Sequence, residues 1–246
     1  MSEGTSVYSR AALWRRLGLA RHNWPGRFTV LLMAILLLLI AQPIFSGHAF
    51  AESLVSSWIT LVLLAALYAF RTTRIYFVIA LVLLVPSLGG RAALLFTLSP
   101  TIEIVSAISS CLFLAVTVIA LVSRLFIVKS VTLDTISAGI CAYLLTAIAF
   151  AYGFAVVELR HPGSFSAALF ERTAGNVSPL MASLHNFIYY SFVCLTTTGF
   201  GDIAPVSGGA RSLSVMESVF GQLYVAILIA RLVSLQVAQS MMKERD

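Results

Sequence analysis

The stretch from Cys194 to Pro205, CLTTTGFGDIAP, places three consecutive hydroxyls, two glycines and a carboxylate between two strongly apolar segments. Gly199 and Gly201 alternate with bulkier residues, which allows the backbone to turn successive carbonyl oxygens toward one axis. Stacked rings of such oxygens can replace the hydration shell of a cation. The stretch is therefore a candidate cation site.

An apolar segment, residues 182–196, leads into this stretch but is too short to cross a membrane. A helix directs the partial negative charge of its C-terminus at whatever lies ahead, which favours a cation there. Non-helical backbone at membrane depth is tolerated only where it is buried in protein or lines water. We therefore expect a re-entrant pore helix that ends at a loop facing a water-filled path.

The composition requires the rest of the chain to lie in a membrane. Hydrophobic residues make up 59% of the sequence and charged residues 11%, with a mean hydropathy of +0.96, far outside the range of soluble domains. The sequence predicts an all-α membrane protein with six transmembrane helices plus the re-entrant pore helix and its loop. The six apolar runs are 28–46, 54–70, 75–88, 101–123, 132–157 and 212–238.

The distribution of basic residues predicts the orientation. Five arginines lie among the first 27 residues, which favours a cytoplasmic, amphipathic segment (1–26) held against anionic lipid, not a nucleic-acid surface. A mobile basic tail is the alternative for this segment. Six crossings return the C-terminus to the cytoplasm, so we expect a multi-pass protein of the plasma membrane. Arg91 lies in the expected third connection, on the outer side, and is the exception to this distribution of basic residues. We expect Pro86 to end or kink the span before it. A cleaved signal peptide at 28–46 is the alternative.

The run from Thr196 to Asp202, TTTGFGD, resembles the selectivity-filter signature of potassium channels, T-x-G-[YF]-G-D. The resemblance implies that potassium is the permeant ion and the only metal bound, with no cofactor. It also implies that backbone oxygens coordinate the ion and that the hydroxyl of Thr197 adds to the innermost site. The implied ion ligands are Thr197, Thr198, Gly199, Phe200 and Gly201.

The filter departs from the family at two positions. Thr198 stands where the family most often has Val or Ile, and Phe200 stands where Tyr is commoner, so a hydroxyl that ties the filter to its surroundings is lost. Tyr189 and Tyr190 match an aromatic pair on the family's pore helix and are expected to supply part of the bracing. The residues expected to support the filter are Thr196, Asp202, Tyr189, Tyr190 and Glu217.

The last span carries two further candidates. Gly221 follows Gly201 by 20 residues, matching the position of a hinge glycine in the family's inner helix, although close helix packing needs a small residue equally. Glu217 lies one turn earlier on the same face. A carboxylate at that depth is costly, so we expect it to meet the pore helix or a neighbouring chain. Arg231, near the inner end, is expected to point sideways, away from the pore.

The resemblance divides the chain into domains. It covers 131–246, implying a pore domain of outer helix, turret, pore helix, filter and inner helix. Residues 27–130 are expected to form a four-helix transmembrane bundle. Its fourth span, 101–123, contains neither Arg nor Lys, so it lacks the arginine ladder of a voltage sensor.

Because each chain supplies one loop and a ring of carbonyls needs several, we expect a homotetramer surrounded by membrane lipid. No constellation of nucleophile, acid and base is apparent, so the chain is not expected to be an enzyme. The leading hypothesis is a potassium-selective channel subunit without strong voltage gating. The alternatives are a weakly selective cation channel and a non-conducting accessory membrane subunit.

The absence of Arg and Lys from 101–123 leads to a prediction for gating. Each elementary charge that moves through 100 mV contributes about 2.3 kcal/mol. The only acid in this span is Glu103, expected as a boundary residue near its outer end, so displacement of the span supplies almost no work. Conductance of the reconstituted protein in symmetric potassium should therefore vary only shallowly with voltage. An effective gating charge of several elementary charges per channel would contradict the prediction.

Overall fold

The computed structural model describes residues 27–45, 60–61, 63–64, 74–94, 99–127, 132–166 and 179–243. The N-terminal segment 1–26, most of the second predicted span (54–70) and turret residues 167–178 lie outside the described residues. The described part of the chain is helical, apart from its connections and one isolated antiparallel bridge between Phe165 and Pro205. Its six helices are α1 (Arg27–Phe45), α2 (Arg74–Leu94), α3 (Pro100–Ile127), α4 (Leu133–Arg160), α5 (Pro179–Leu195) and α6 (Gly208–Lys243).

Three of these helices are long and apolar enough to cross a membrane: Pro100–Ile127, Leu133–Arg160 and Gly208–Val237. Shorter apolar helical stretches cover Phe28–Leu37 and Val78–Leu94. The protein is therefore a multi-pass membrane protein with helices near five of the six predicted runs. That all six runs cross the membrane stays a prediction.

Helix α4 is the central element of the fold. Helices α1 and α3 pack along it on the side of the N-terminal half, and α5 and α6 pack against it on the side of the cation site. Its buried side chains include many alanines, and small residues allow helix backbones to approach closely where lipid offers no hydrophobic driving force. The N-terminus of α4 is capped by Thr132, whose hydroxyl accepts from the Thr135 amide at 3.2 Å.

A polar seam, formed by Ser87 of α2 with Ser106 and Ser110 of α3, joins these two helices. The hydroxyls of Ser87 and Ser110 are 2.6 Å apart, and the Ser106 hydroxyl donates to the Ser87 carbonyl at 3.1 Å. Gly90 permits the close approach, because a Cβ there would lie 2.7 Å from Cβ of Ser106. The seam fixes α3 against α2 along the helix axis.

Helix α2 corrects two expectations from the sequence. It runs through Pro86 to Leu94, so of the two alternatives at Pro86 an end of the span is wrong, and a kink stays a prediction. Arg91, expected in a connection, lies in the last turn of α2 and is 9% exposed. Its guanidinium donates to the Tyr152 hydroxyl of α4 and lies 5.7 Å from the centroid of that ring. A hydrogen bond together with a cation–π contact makes burial of the charge tolerable.

Candidate ion-conducting site

The pore helix α5 ends in a hydrogen-bonded turn that positions the candidate filter. The amide of Thr197 donates to the Cys194 carbonyl, and the amide of Thr198 donates to the Val193 carbonyl, both at 3.0 Å. This pair of bonds is a Schellman motif, in which the residue after the helix is left-handed and is usually glycine. Here that residue is Thr197, with φ of 56°.

A β-branched residue with positive φ is an outlier that costs about 1–3 kcal/mol. Glycine would remove this cost but would also remove the hydroxyl. The side-chain amide of Gln222, on α6, donates to the Thr197 hydroxyl at 3.0 Å. The strained Thr197 therefore gives this site an oxygen that a glycine cannot supply.

The sign of φ alternates along the candidate filter. It is positive at Thr197 (56°), Gly199 (61°) and Gly201 (80°) but not at the two residues between them. Alternating handedness lets successive peptide groups face the same way. All five residues are exposed in the single chain, so the rest of the chain leaves one side of this backbone uncovered.

Hydroxyls at the start of the filter bond to one another and to the pore helix. The Thr196 hydroxyl donates to the Phe192 carbonyl at 2.7 Å and lies 2.8 Å from the Thr198 hydroxyl. The threonine run therefore continues the hydrogen bonding of α5 into the loop.

Tyr189 braces the Asp202 end of the candidate filter. Its hydroxyl donates to Oδ2 of Asp202 at 2.8 Å, a bond that raises the pKa of the Tyr189 phenol above its ordinary value. Its ring stacks on the ring of Phe200, with centroids 6.4 Å apart and planes 2° apart. Phe200 lacks a hydroxyl, so its link to the pore helix is this stacking contact.

Behind the filter, Tyr190 belongs to an aromatic cluster with Phe154, Phe165 and Phe187. The centroid of the Tyr190 ring lies 4.9 Å from that of Phe154 and 5.3 Å from that of Phe165, both edge-to-face. Its hydroxyl is 2.7 Å from the hydroxyl of Ser214 on α6. The cluster joins the pore helix to α4, and Tyr190 adds a polar link to α6.

Glu158, near the end of α4, anchors the connections that follow α4 and the candidate filter. Its two carboxylate oxygens accept from the amides of Gly163 (2.7 Å) and Ser164 (2.8 Å). The Ser164 carbonyl accepts in turn from the Val206 amide at 2.7 Å, in the connection that leads from the filter to α6. The loop after α4 and the loop after the filter are thus held together by one buried carboxylate.

Glu217 is completely buried between α6 and the pore helix. Its Oε1 accepts from the Ser191 hydroxyl of α5, which also lies 2.6 Å from the Ala147 carbonyl of α4. The carboxyl group thus contacts the pore helix, which is one of the two surroundings that the sequence analysis considered. Farther along α6, Arg231 donates to the Phe126 carbonyl of α3 at 3.1 Å, so its guanidinium points sideways.

Gly221 lies where α6 crosses the end of the pore helix. A Cβ at this position would overlap the Leu195 carbonyl oxygen and lie 3.1 Å from the Leu195 carbonyl carbon. The neighbouring Ser218 hydroxyl donates to the Cys194 carbonyl at 3.1 Å. Helix α6 continues through Gly221 without interruption. The geometry therefore explains Gly221 by close packing, and its role as a hinge stays a prediction.

The structure thus brings the sequence-predicted residues together along one side of α5 and α6. Sequence reasoning missed several of their partners. Gln222 and Ser191 are ordinary polar residues in apolar runs, and only the expected burial of such groups could have singled them out. Glu158 carried a stronger signal, because a carboxylate at the end of a span precedes a turn that contains Gly163.

Comparison with known proteins agrees with this geometry. A family model described as an ion channel matches residues 140–237, from the first half of α4 through most of α6. This region is similar to an ion channel domain. The match is to a channel family and not to an enzyme family. Neither the search of curated proteins nor the search of solved structures gave a match.

Replacing Gly221 by alanine tests the helix crossing. The added Cβ meets a backbone carbonyl, which cannot rotate away, so we expect a loss of about 1–3 kcal/mol of stability. The measurement is the thermal unfolding midpoint of the purified protein in detergent. Gly209→Ala is the matched control, since it lies on the same helix with no atom within 4 Å of the added Cβ. Equal midpoints for the two variants would contradict the packing role.

Neutralising Asp202 tests the outer end of the site. A carboxylate there raises the local cation concentration, so Asp202→Asn should lower conductance about twofold at low ionic strength. The difference should shrink in high salt, where charges are screened. Tyr189→Phe is the control, because it removes the hydrogen bond between the two side chains and keeps the charge. Loss of assembly in Asp202→Asn would show instead that the carboxylate is a structural element.

Proposed function

We propose that the protein is a potassium-selective channel subunit, with the ion held by backbone oxygens from Thr197 to Gly201. The observation that carries the proposal is the alternation of φ along these residues, directly after the C-terminus of the pore helix. The same residues lie inside the region that matches an ion channel family.

The proposed mechanism needs no covalent chemistry and no cofactor. The C-terminus of α5 directs partial negative charge toward the approach to the filter, which favours a cation there. Carbonyl oxygens then replace the hydration shell, and the Thr197 hydroxyl contributes at the inner end. Several adjacent sites of moderate affinity let one ion displace the next.

Such a site requires several copies of the chain around one axis. One chain supplies a single arc of oxygens, and those residues are exposed in it. Along α6, too, most side chains are exposed in the single chain. A homotetramer covers the inner faces of both elements, with lipid around the outside. We place this tetramer in the plasma membrane with both termini cytoplasmic, as the arginine distribution favours.

Potassium flux into liposomes tests the proposal, with Gly199→Ala as the decisive variant. A Cβ disfavours the φ of 61° at this residue, so the selective current should be abolished. Gly163→Ala is the matched control, because Gly163 has a φ of 85° and equally open space but lies outside the filter. The wild type and the control should pass potassium in preference to sodium.

Three other results would decide against the proposal. Similar potassium and sodium permeabilities in the wild type would favour a weakly selective cation channel. A wild-type protein that passes neither ion at any voltage or pH would favour a non-conducting accessory subunit. An unchanged permeability ratio in Gly199→Ala would remove these residues from the conduction path.

A further inference from the structure

The pore helix receives a hydrogen bond from the N-terminal half of the protein. Glu103, in the first turn of α3, is 5% exposed, and its Oε1 accepts from the Leu180 amide at 2.6 Å. Leu180 is the second residue of α5 and is itself buried. The bond therefore links the start of one helix to the start of another across 77 residues of sequence.

The start of a helix needs such a partner. The first four amides of a helix have no acceptor within it, and the acceptor usually comes from the residue just before the helix. Here α5 begins with Pro179, which has no amide hydrogen, so Leu180 carries the first free donor. A carboxylate is also favoured at this end by the helix dipole. Glu103 thus serves α5 as a cap supplied by a different helix.

The cap is attached to a fixed part of the molecule. The polar seam joins α3 to α2, and it includes Ser106, one turn from Glu103. Helix α3 also packs along α4, which packs against the pore helix. The position of the Glu103 carboxylate is therefore set by the N-terminal half and not by the loop that precedes α5.

A displacement at one end of the pore helix reaches the other end. Helix α5 has 17 residues and so is about 25 Å long. The Schellman bonds connect its last turn directly to Thr197 and Thr198. No segment between Leu180 and the filter is free to absorb a change of tilt.

We propose that Glu103 is a positioning residue for the filter, and that one task of the N-terminal helices is to hold the pore helix through it. This inference rests on the proposed channel function. The N-terminal half then acts on conduction by fixing the pore helix instead of by sensing voltage.

The test compares Glu103→Ala, Glu103→Gln and Ser109→Ala in the full-length chain, reconstituted in liposomes. Glutamine keeps an acceptor oxygen and loses the charge, so Glu103→Gln should retain part of the capping of α5 if the hydrogen bond contributes to it. Ser109 lies on the same helix, is buried, and donates to the Val105 carbonyl within α3 at 2.7 Å. Its replacement by alanine is the matched control for loss of a buried polar group.

Two quantities are measured for each variant: amide hydrogen exchange at the start of α5, and potassium flux with its potassium-to-sodium ratio. In Glu103→Ala we expect amide exchange at the start of α5 to rise about fivefold and potassium flux to fall about fivefold. A factor of about five is the change that loss of one capping interaction makes in a local equilibrium. Glu103→Gln should be intermediate, and Ser109→Ala should match the wild type.

The outcomes separate this inference from the proposed function. Unchanged exchange in Glu103→Ala would overturn the capping role. Raised exchange with unchanged flux and ion ratio would show that the cap is structural only, and would overturn the positioning role. A wild-type protein without potassium flux would overturn the proposed function itself, whatever the exchange data show.

Discussion

Bare peptide groups at membrane depth have no water to bond, and this constraint shapes the region from Thr196 to Ser207. The amides at its start donate back into the pore helix, to the Val193 and Cys194 carbonyls. The amides near its end pair with the loop after α4, where Ala204 donates to the Ser166 hydroxyl at 2.9 Å. Both ends of the non-helical stretch are thus tied to protein, and in the proposed channel the carbonyls between them face an aqueous path and its ions.

The supports of this stretch come from different elements and use different interactions. Tyr189 holds the outer end by a hydrogen bond and by ring stacking, and the aromatic cluster around Tyr190 holds the pore helix from behind. Glu158 fixes the outer loops through two backbone amides. Because these contacts involve different groups, most of them do not depend on a hydroxyl at residue 200, where this chain has Phe and not Tyr.

The sequence predicted the features that depend on local pattern. Apolar runs located the helices, and the spacing of Gly199 and Gly201 identified a loop whose positive φ values the structure contains.

Features that depend on distant partners had no such signal. The sequence placed Arg91 in a connection, and only the structure shows that it contacts Tyr152. It placed Glu103 at the boundary of a span, and only the structure shows that it accepts from the start of the pore helix. Of the end or kink expected at Pro86, the end is wrong because an apolar helix can continue past a proline. The sequence predicted Thr197 as an ion ligand and did not predict its left-handed conformation. That conformation arises from the Schellman turn, which a run of threonines does not encode by itself.

The contact between Arg91 and Tyr152 also bears on how the chain is made. Synthesis proceeds from the N-terminus, and Tyr152 follows Arg91 by 61 residues. Helix α2 is therefore complete before the hydroxyl and the ring that contact its guanidinium have been synthesised. Both contacts form only after α4 has emerged, so the last turn of α2 gains them late in the assembly of the chain. The N-terminal half is in this way joined to the region that matches an ion channel family by a contact between helices made at different times.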